Sequence, residues 1–199
     1  MGDRPRALLA ALAARGRRPV PAEELIELIW GDEAPLNGVK SLQVLVSRVR
    51  TACGAESIVT GAAGYRLGAA PDEVDSERLA ALVRDAATAF DRDASAAAAL
   101  AREALELTAS LPGVGDGDAG PLAEVRRAAA ADAAAARVIL ARAYSRTGAH
   151  ADGLPALELA HTERPQDEPL LADLLRSEAA VRGTAAALER YDTIKLEKL

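Results

Sequence analysis

Apolar residues recur at helical spacing along most of this chain, and the places where that spacing fails mark its changes of architecture. Over residues 4–15, Leu8, Leu9 and Leu12 form one stripe that ends at Gly16, which predicts a first helix. A second is predicted over 21–30. Pro21 suits a first turn, Glu23 and Glu24 sit at the positive end of the helix dipole, and Leu25, Ile26, Leu28, Ile29 and Trp30 form a broad apolar face up to Gly31. Residues 32–36 read as a turn. Asn37 is the expected N-cap of a third helix that runs to about Cys53 and stops at Gly54. Two short strands are then expected over 57–60 and 65–67, with Gly61-Ala62-Ala63-Gly64 as the loop between them. Ala69-Ala70-Pro71-Asp72 breaks the pattern, so the boundary is expected there, with one domain over 1–70 and another over 71–199.

The second part predicts amphipathic helices near 75–91, 95–109, 121–147, 150–163, 167–182 and 184–197. The segment SLPGVGDGDAG, 110–120, holds four glycines and a proline and is expected to be a flexible loop. A degenerate repeat runs through the last part: Gly148 and Gly183 are 35 residues apart, and Leu157 and Tyr191 are 34 apart. Tyr144, Leu157, Ala160 and Pro165 match the spacing of a tetratricopeptide repeat, which predicts stacked helical hairpins. The fold class expected is mainly α: an N-terminal winged helix-turn-helix with a short hairpin wing, then an all-α, TPR-like domain.

The third helix carries the chemistry. Val39, Leu42, Val46, Val49 and Cys53 fall at i, i+3, i+7, i+10 and i+14, a core stripe. Opposite lie Asn37, Lys40, Val44, Ser47, Arg48 and Thr51, with Gln43 and Arg50 on the flanks. That face offers cations for phosphates, an amide for a base edge, hydroxyls for either, and an aliphatic group that suits a thymine methyl. By itself such a face is most simply a solvated surface. The hairpin that follows favours DNA, because a groove-reading helix beside two short strands makes a wing, which would bring Thr60 and Arg66 close to phosphate.

Composition changes this picture only at the margins. Half of the residues are apolar, mostly Ala, Leu and Val, while aromatics make up 3%, so close packing of helices on small side chains is expected. The net charge is −6, an overall acidity that argues weakly against DNA binding. It is unevenly spread, however. Residues 1–67 hold nine Lys/Arg against seven Asp/Glu, and 68–199 hold fifteen against twenty-three. The local field is what phosphates meet. One cysteine excludes an internal disulfide and suits a reducing, cytoplasmic compartment; by its place on the wheel Cys53 is expected to be a buried small hydrophobe. The basic start with its short Ala/Leu stretch mimics a signal peptide but reads better as the first helix. No apolar run is long enough to span a membrane.

An enzyme is not expected. His150 and His161 are 11 residues apart on one helix, about 16 Å along its axis and too far to share a metal, so they read as surface or satisfied histidines. Gly115-Asp116-Gly117-Asp118 lacks the ligand pattern of a calcium loop. No cofactor is implied.

LIWGDEAP, the SLQVLVSRVR helix and the wing IVTGAAGYRL together resemble an OmpR-type winged helix, and the helical region after it resembles the AfsR/SARP regulators, whose second part is the bacterial transcriptional activator domain. The resemblance covers about 4–199, closely over 17–67 and more loosely after 75. It implies a transcriptional activator that binds direct repeats at promoters, often of secondary-metabolite genes, with RNA polymerase and its sigma factor as partners, and it allows a homodimer. By position, the DNA contacts it implies are Lys40, Ser41, Gln43, Val44, Ser47, Arg48 and Arg50, with Thr60, Tyr65 and Arg66 of the wing. Arg48 is the first choice for a base contact, Lys40 and Arg50 suit phosphates, and Tyr65 suits packing. Three departures stand out. The small sheet that precedes the first helix in OmpR-type proteins has almost no counterpart here. The wing tip, often arginine in that family, is Gly61, and a tryptophan-bearing segment of the activator domain is replaced by the glycine-rich loop 111–120. The competing reading is a helical adaptor whose winged domain binds protein. It calls for more exposed apolar residues and fewer cations on the third helix.

Overall fold

Ala-rich stretches with terminal glycines form helices wherever the sequence leaves them uninterrupted, and one hairpin is the exception. The computed structural model describes residues 2–110 and 120–196. Among these, the helices are α1 (Asp3–Ala14), α2 (Ala22–Trp30), α3 (Gly38–Cys53), α4 (Asp75–Phe90), α5 (Ala94–Ser110), α6 (Pro121–Thr147), α7 (His150–Glu163), α8 (Glu168–Arg182) and α9 (Thr184–Leu196). Strands β1 (Ile58–Gly61) and β2 (Gly64–Leu67) lie between α3 and α4. The described residues cluster into two units, 2–80 with 120–131, and 81–110 with 132–196. A short 3₁₀ turn, Pro71–Glu73, occupies the expected break. Residues 115–118, which lack a calcium-loop pattern, and all but the ends of the expected flexible loop 110–120 lie outside the described residues.

In the first unit, α1, α2 and α3 enclose one core. Leu8 and Leu12 from α1, Leu25 from α2, and Leu42 and Val49 from α3 are almost wholly buried, and Ile58 and Tyr65 join them from the hairpin. The expected N-cap is present: the Asn37 side-chain oxygen accepts from the backbone N–H of Lys40 at 3.1 Å. Gly54 ends α3 with φ +101°, and its N–H donates to the carbonyl of Arg50.

The hairpin differs from expectation in its glycines. Gly61 and Gly64 are not loop residues but the last antiparallel pair, leaving Ala62-Ala63 as the connection; Ile58 pairs with Leu67, Val59 with Arg66 and Thr60 with Tyr65. β2 is also paired on its other side. The Val20 N–H donates to the Tyr65 carbonyl at 2.7 Å, and the Tyr65 N–H donates back to the Val20 carbonyl at 2.9 Å. That close approach requires Gly64. Its φ is +121°, and a Cβ there would stand 2.1 Å from the Val20 carbonyl oxygen.

The second unit is built of helical hairpins, as the repeat predicts. Ala141 of α6, Leu154, Leu157 and Ala160 of α7, and Leu170 and Leu174 of α8 form one buried cluster. Gly153 lets α7 close on α6, since a Cβ there would meet the Ala141 carbonyl oxygen at 2.7 Å. The two repeat positions 34 apart do not share an environment: Leu157 is buried and Tyr191 is exposed. His161 is buried, and His150 lies within hydrogen-bond distance of the Ser177 hydroxyl.

Polar networks stitch these small-residue helices together. Phe90 of α4 packs under the guanidinium groups of both Arg142 and Arg146, each 4.8 Å from the ring centre. Asp173 accepts from Arg142 at 2.6 Å and also pairs with Arg176. Glu178, buried on α8, pairs with Arg182 and with Arg190 of α9, and both arginines also reach Glu158 of α7. Burial alone would raise the Glu178 pKa, but the hydrogen bonds from Arg190 and Arg182 outweigh it and hold the carboxyl below its ordinary range.

Two outcomes follow. Gly64→Ala should lower stability by on the order of 2–4 kcal/mol, from backbone strain plus the clash with Val20, read as a drop in thermal midpoint. Because Glu178 titrates lower when folded than when unfolded, its pairing stabilises above the unfolded carboxyl range and fades as pH falls through the folded value. Thermal melts from about pH 7 to about pH 3 should therefore show wild type well above Glu178→Gln near neutrality, with the gap closing in acid. A gap that stays constant with pH contradicts the linkage.

Candidate nucleic-acid interface

Helix α3 presents one face to the core and the other to solvent. Leu42, Leu45, Val46 and Val49 are buried. The inward stripe therefore differs from the expected one at both ends. Cys53 is exposed and Val39 is 46% exposed, because each lies in a terminal turn where the core runs out, while Leu45 takes a buried place instead. The outward face carries Lys40, Gln43, Val44, Ser47, Arg48 and Thr51, all exposed, with Ser41 and Arg50 half-buried at its borders. The Thr51 hydroxyl donates to the Ser47 carbonyl at 3.0 Å, which turns that hydroxyl back onto the helix. Neither Lys40 nor Arg48 forms an ion pair among the described residues.

The hairpin is held against α3 by a side chain. Arg50 donates from Nε and Nη2 to the Ile58 carbonyl at 2.9 and 2.6 Å, and from Nη2 to the Thr60 hydroxyl at 2.9 Å. Two residues expected at phosphates, Arg50 and Thr60, are thus brought together and bonded to each other. Arg66 is half-buried, with Nη1 on the Leu67 carbonyl at 3.3 Å. Tyr65 is buried in the core, in keeping with the packing role suggested for it.

Two grooves flank the exposed face. One, of about 430 Å³, runs between α3 and the hairpin and is lined by Gln43, Ser47, Arg50, Thr51 and Thr60. The other, of about 420 Å³, lies on the opposite side and gathers Arg4, Trp30, Lys40, Val44 and Arg48. Arg4 was not among the residues expected here; its guanidinium sits over the Trp30 ring, 5.8 Å from the centre. The basic start of α1 is the only sequence signal for it, and spacing could not place it beside α3. An exposed helix face with unpaired cations, an amide and a hydroxyl, set between two open grooves, can accept a polyanion along its length and hydrogen-bond to its edges.

Known proteins bear on this arrangement. Residues 74–197 match the bacterial transcriptional activator domain. Among curated relatives, the regulatory protein AfsR of Streptomyces griseus is 33% identical over 90 residues, 44% of this chain and 9% of that protein. The AfsR regulatory protein of Streptomyces coelicolor is 35% identical over 108 residues, 51% of this chain and 10% of that protein. The chain therefore spans only a small part of the length of these relatives. In fold it is similar to Mycobacterium tuberculosis EmbR, solved in complex with a low-affinity phosphopeptide. The TM-score is 0.71 at 24% identity, covering 98% of this chain and 54% of that one. The chain belongs to the bacterial transcriptional activator domain family, as an AfsR/SARP-type regulator. Among the described residues no helix is long and apolar enough to cross a membrane.

Because Arg50 joins α3 to Ile58 and Thr60 of β1, Arg50→Ala should loosen the hairpin. A loss of about 1–3 kcal/mol is expected, together with faster amide exchange at Thr60 and Gly61. Unchanged exchange would show that the hairpin is held without it.

Proposed function

We propose that this chain is a sequence-specific, DNA-binding transcriptional activator. In this reading α3 lies in the major groove, and the hairpin over 57–67 rests on the adjacent backbone. Residues 1–70 act as the DNA-binding domain and 71–199 as the activator domain. The observation that carries the reading is the outward face of α3, where Lys40 and Arg48 have no acidic partner among the described residues and stand beside exposed Gln43, Val44 and Ser47. Arg48 reads a base edge, Lys40 holds phosphate, and Gln43, Ser47 and Val44 supply amide, hydroxyl and methyl contacts. Ser41 borders the same contact. Arg50, Thr60 and Tyr65 position the hairpin, and Arg66 lies at its strand edge.

The AfsR and activator-domain relatedness supports a promoter target, which we place at direct repeats ahead of secondary-metabolite genes. The acidic helical domain then contacts RNA polymerase with its sigma factor, and two copies of the chain occupy the two half-sites. A second reading, in which the winged domain binds protein, draws on one observation: Leu36 is fully exposed, and Val39 is exposed near it at the start of α3. Unpaired cations on the same helix favour DNA.

Arg48→Ala should weaken binding to a selected operator by about 1–3 kcal/mol and change binding to random duplex far less. Equal losses on both, measured by fluorescence anisotropy at one salt concentration, would refute base reading by Arg48.

A further inference from the structure

The hairpin of this protein has little cation to offer DNA. Its connection is Ala62-Ala63 between Gly61 and Gly64. Arg50 is bonded to the Ile58 carbonyl and the Thr60 hydroxyl, and Arg66 lies on the Leu67 carbonyl. On the other side of α3 the situation is reversed. Arg4, Lys40 and Arg48 line one open groove of about 420 Å³ with Trp30 and Val44, and none of the three has an ion pair among the described residues. We propose that Arg4, at the start of α1, is a phosphate-binding residue of the DNA interface, and that this interface takes its backbone charge from the α1 side of α3 rather than from the hairpin. The proposal rests on the DNA-binding reading above and deepens it.

The chemistry favours phosphate over a protein carboxylate as the occupant. Three positive groups along one groove match a ligand with repeated, evenly spaced anionic charge. Arg4 is also preorganised. Its guanidinium sits over the Trp30 ring, 5.8 Å from the centre, and a guanidinium laid on an aromatic face keeps its in-plane N–H donors for bidentate phosphate contact. Val44, exposed in the same groove, is placed to meet the groove floor while the cations hold its walls.

The test is binding of the full chain to a short fluorescein-labelled duplex of mixed sequence, by anisotropy across a salt series. Wild type should bind with a steep loss of affinity as salt rises. Arg4→Gln should bind several-fold more weakly at low salt and show a slope, log affinity against log salt, smaller by about 0.9, the value for one phosphate contact. Arg4→Lys should keep the wild-type slope, as should Arg102→Gln, which removes the same charge from α5. Far-ultraviolet circular dichroism and the thermal midpoint, neither of which takes its signal from the Arg4–Trp30 contact, report that each variant is folded. A wild-type slope in Arg4→Gln overturns the proposal, as does an equal reduction in Arg102→Gln or a loss of binding in Arg4→Lys matching that in Arg4→Gln. Absence of salt-dependent binding by wild type itself would be a different failure, since it removes the DNA reading on which the proposal stands.

Discussion

Two backbone hydrogen bonds, exchanged between Val20 and Tyr65, decide where the hairpin lies. An isolated two-stranded hairpin is marginal in water. Here the loop between α1 and α2 supplies one further rung on the outer side of β2, and the glycine before Tyr65 removes the side chain that would block it. Ile58 and Tyr65 are thereby carried into the helical core, and the Ile58 carbonyl is brought to where Arg50 can bond it. The spacing of α3 from the hairpin, and so the groove between them, follows from this seat. Lose it, and α3 keeps its exposed face but has no defined partner surface beside it.

The second unit solves a different problem. Alanine-rich helices approach closely but each buries little apolar area, so packing alone gives weak specificity between hairpins. Charged networks supply register. Glu158, Glu178, Arg182 and Arg190 link α7, α8 and α9, and Asp173 gathers Arg142 and Arg176 while its backbone carbonyl accepts from the buried Ser145 hydroxyl. Removing one member of such a set leaves a buried charge without its partner, which is why these positions matter more than their area suggests.

Local features were legible in the sequence and non-local ones were not. Helix periodicity and terminal glycines located α1 to α9 to within a residue or two, and Asn37 caps α3 as its side chain and position imply. The two strands were legible from their β-rich composition. Their glycines were misjudged because a two-residue and a four-residue connection read alike in composition, and because the close approach of Val20 to Tyr65, which requires Gly64, is a tertiary event. For the same reason a helical wheel put Val39 and Cys53 inward: it gives direction about an axis but not where neighbouring helices stop covering it. Arg50 reads as one more cation on the polar flank, and only its distance to Ile58 and Thr60 reveals that it fastens the hairpin. Arg4 lies 36 positions before Lys40 in the chain, and no periodicity joins them.

Family membership relates this chain to bacterial transcriptional activators, while the proposed target rests on the exposed face of α3. The most direct measurement is selection of bound duplexes from a random DNA pool by the full chain at two salt concentrations. The expected result is enrichment of a directly repeated motif, with half-sites about one helical turn apart, retained at the higher salt with weaker overall recovery. Recovery of no motif at either salt, with only salt-sensitive capture of any duplex, would contradict base reading by α3 and turn attention to the apolar residues Leu36 and Val39 as a protein-binding surface.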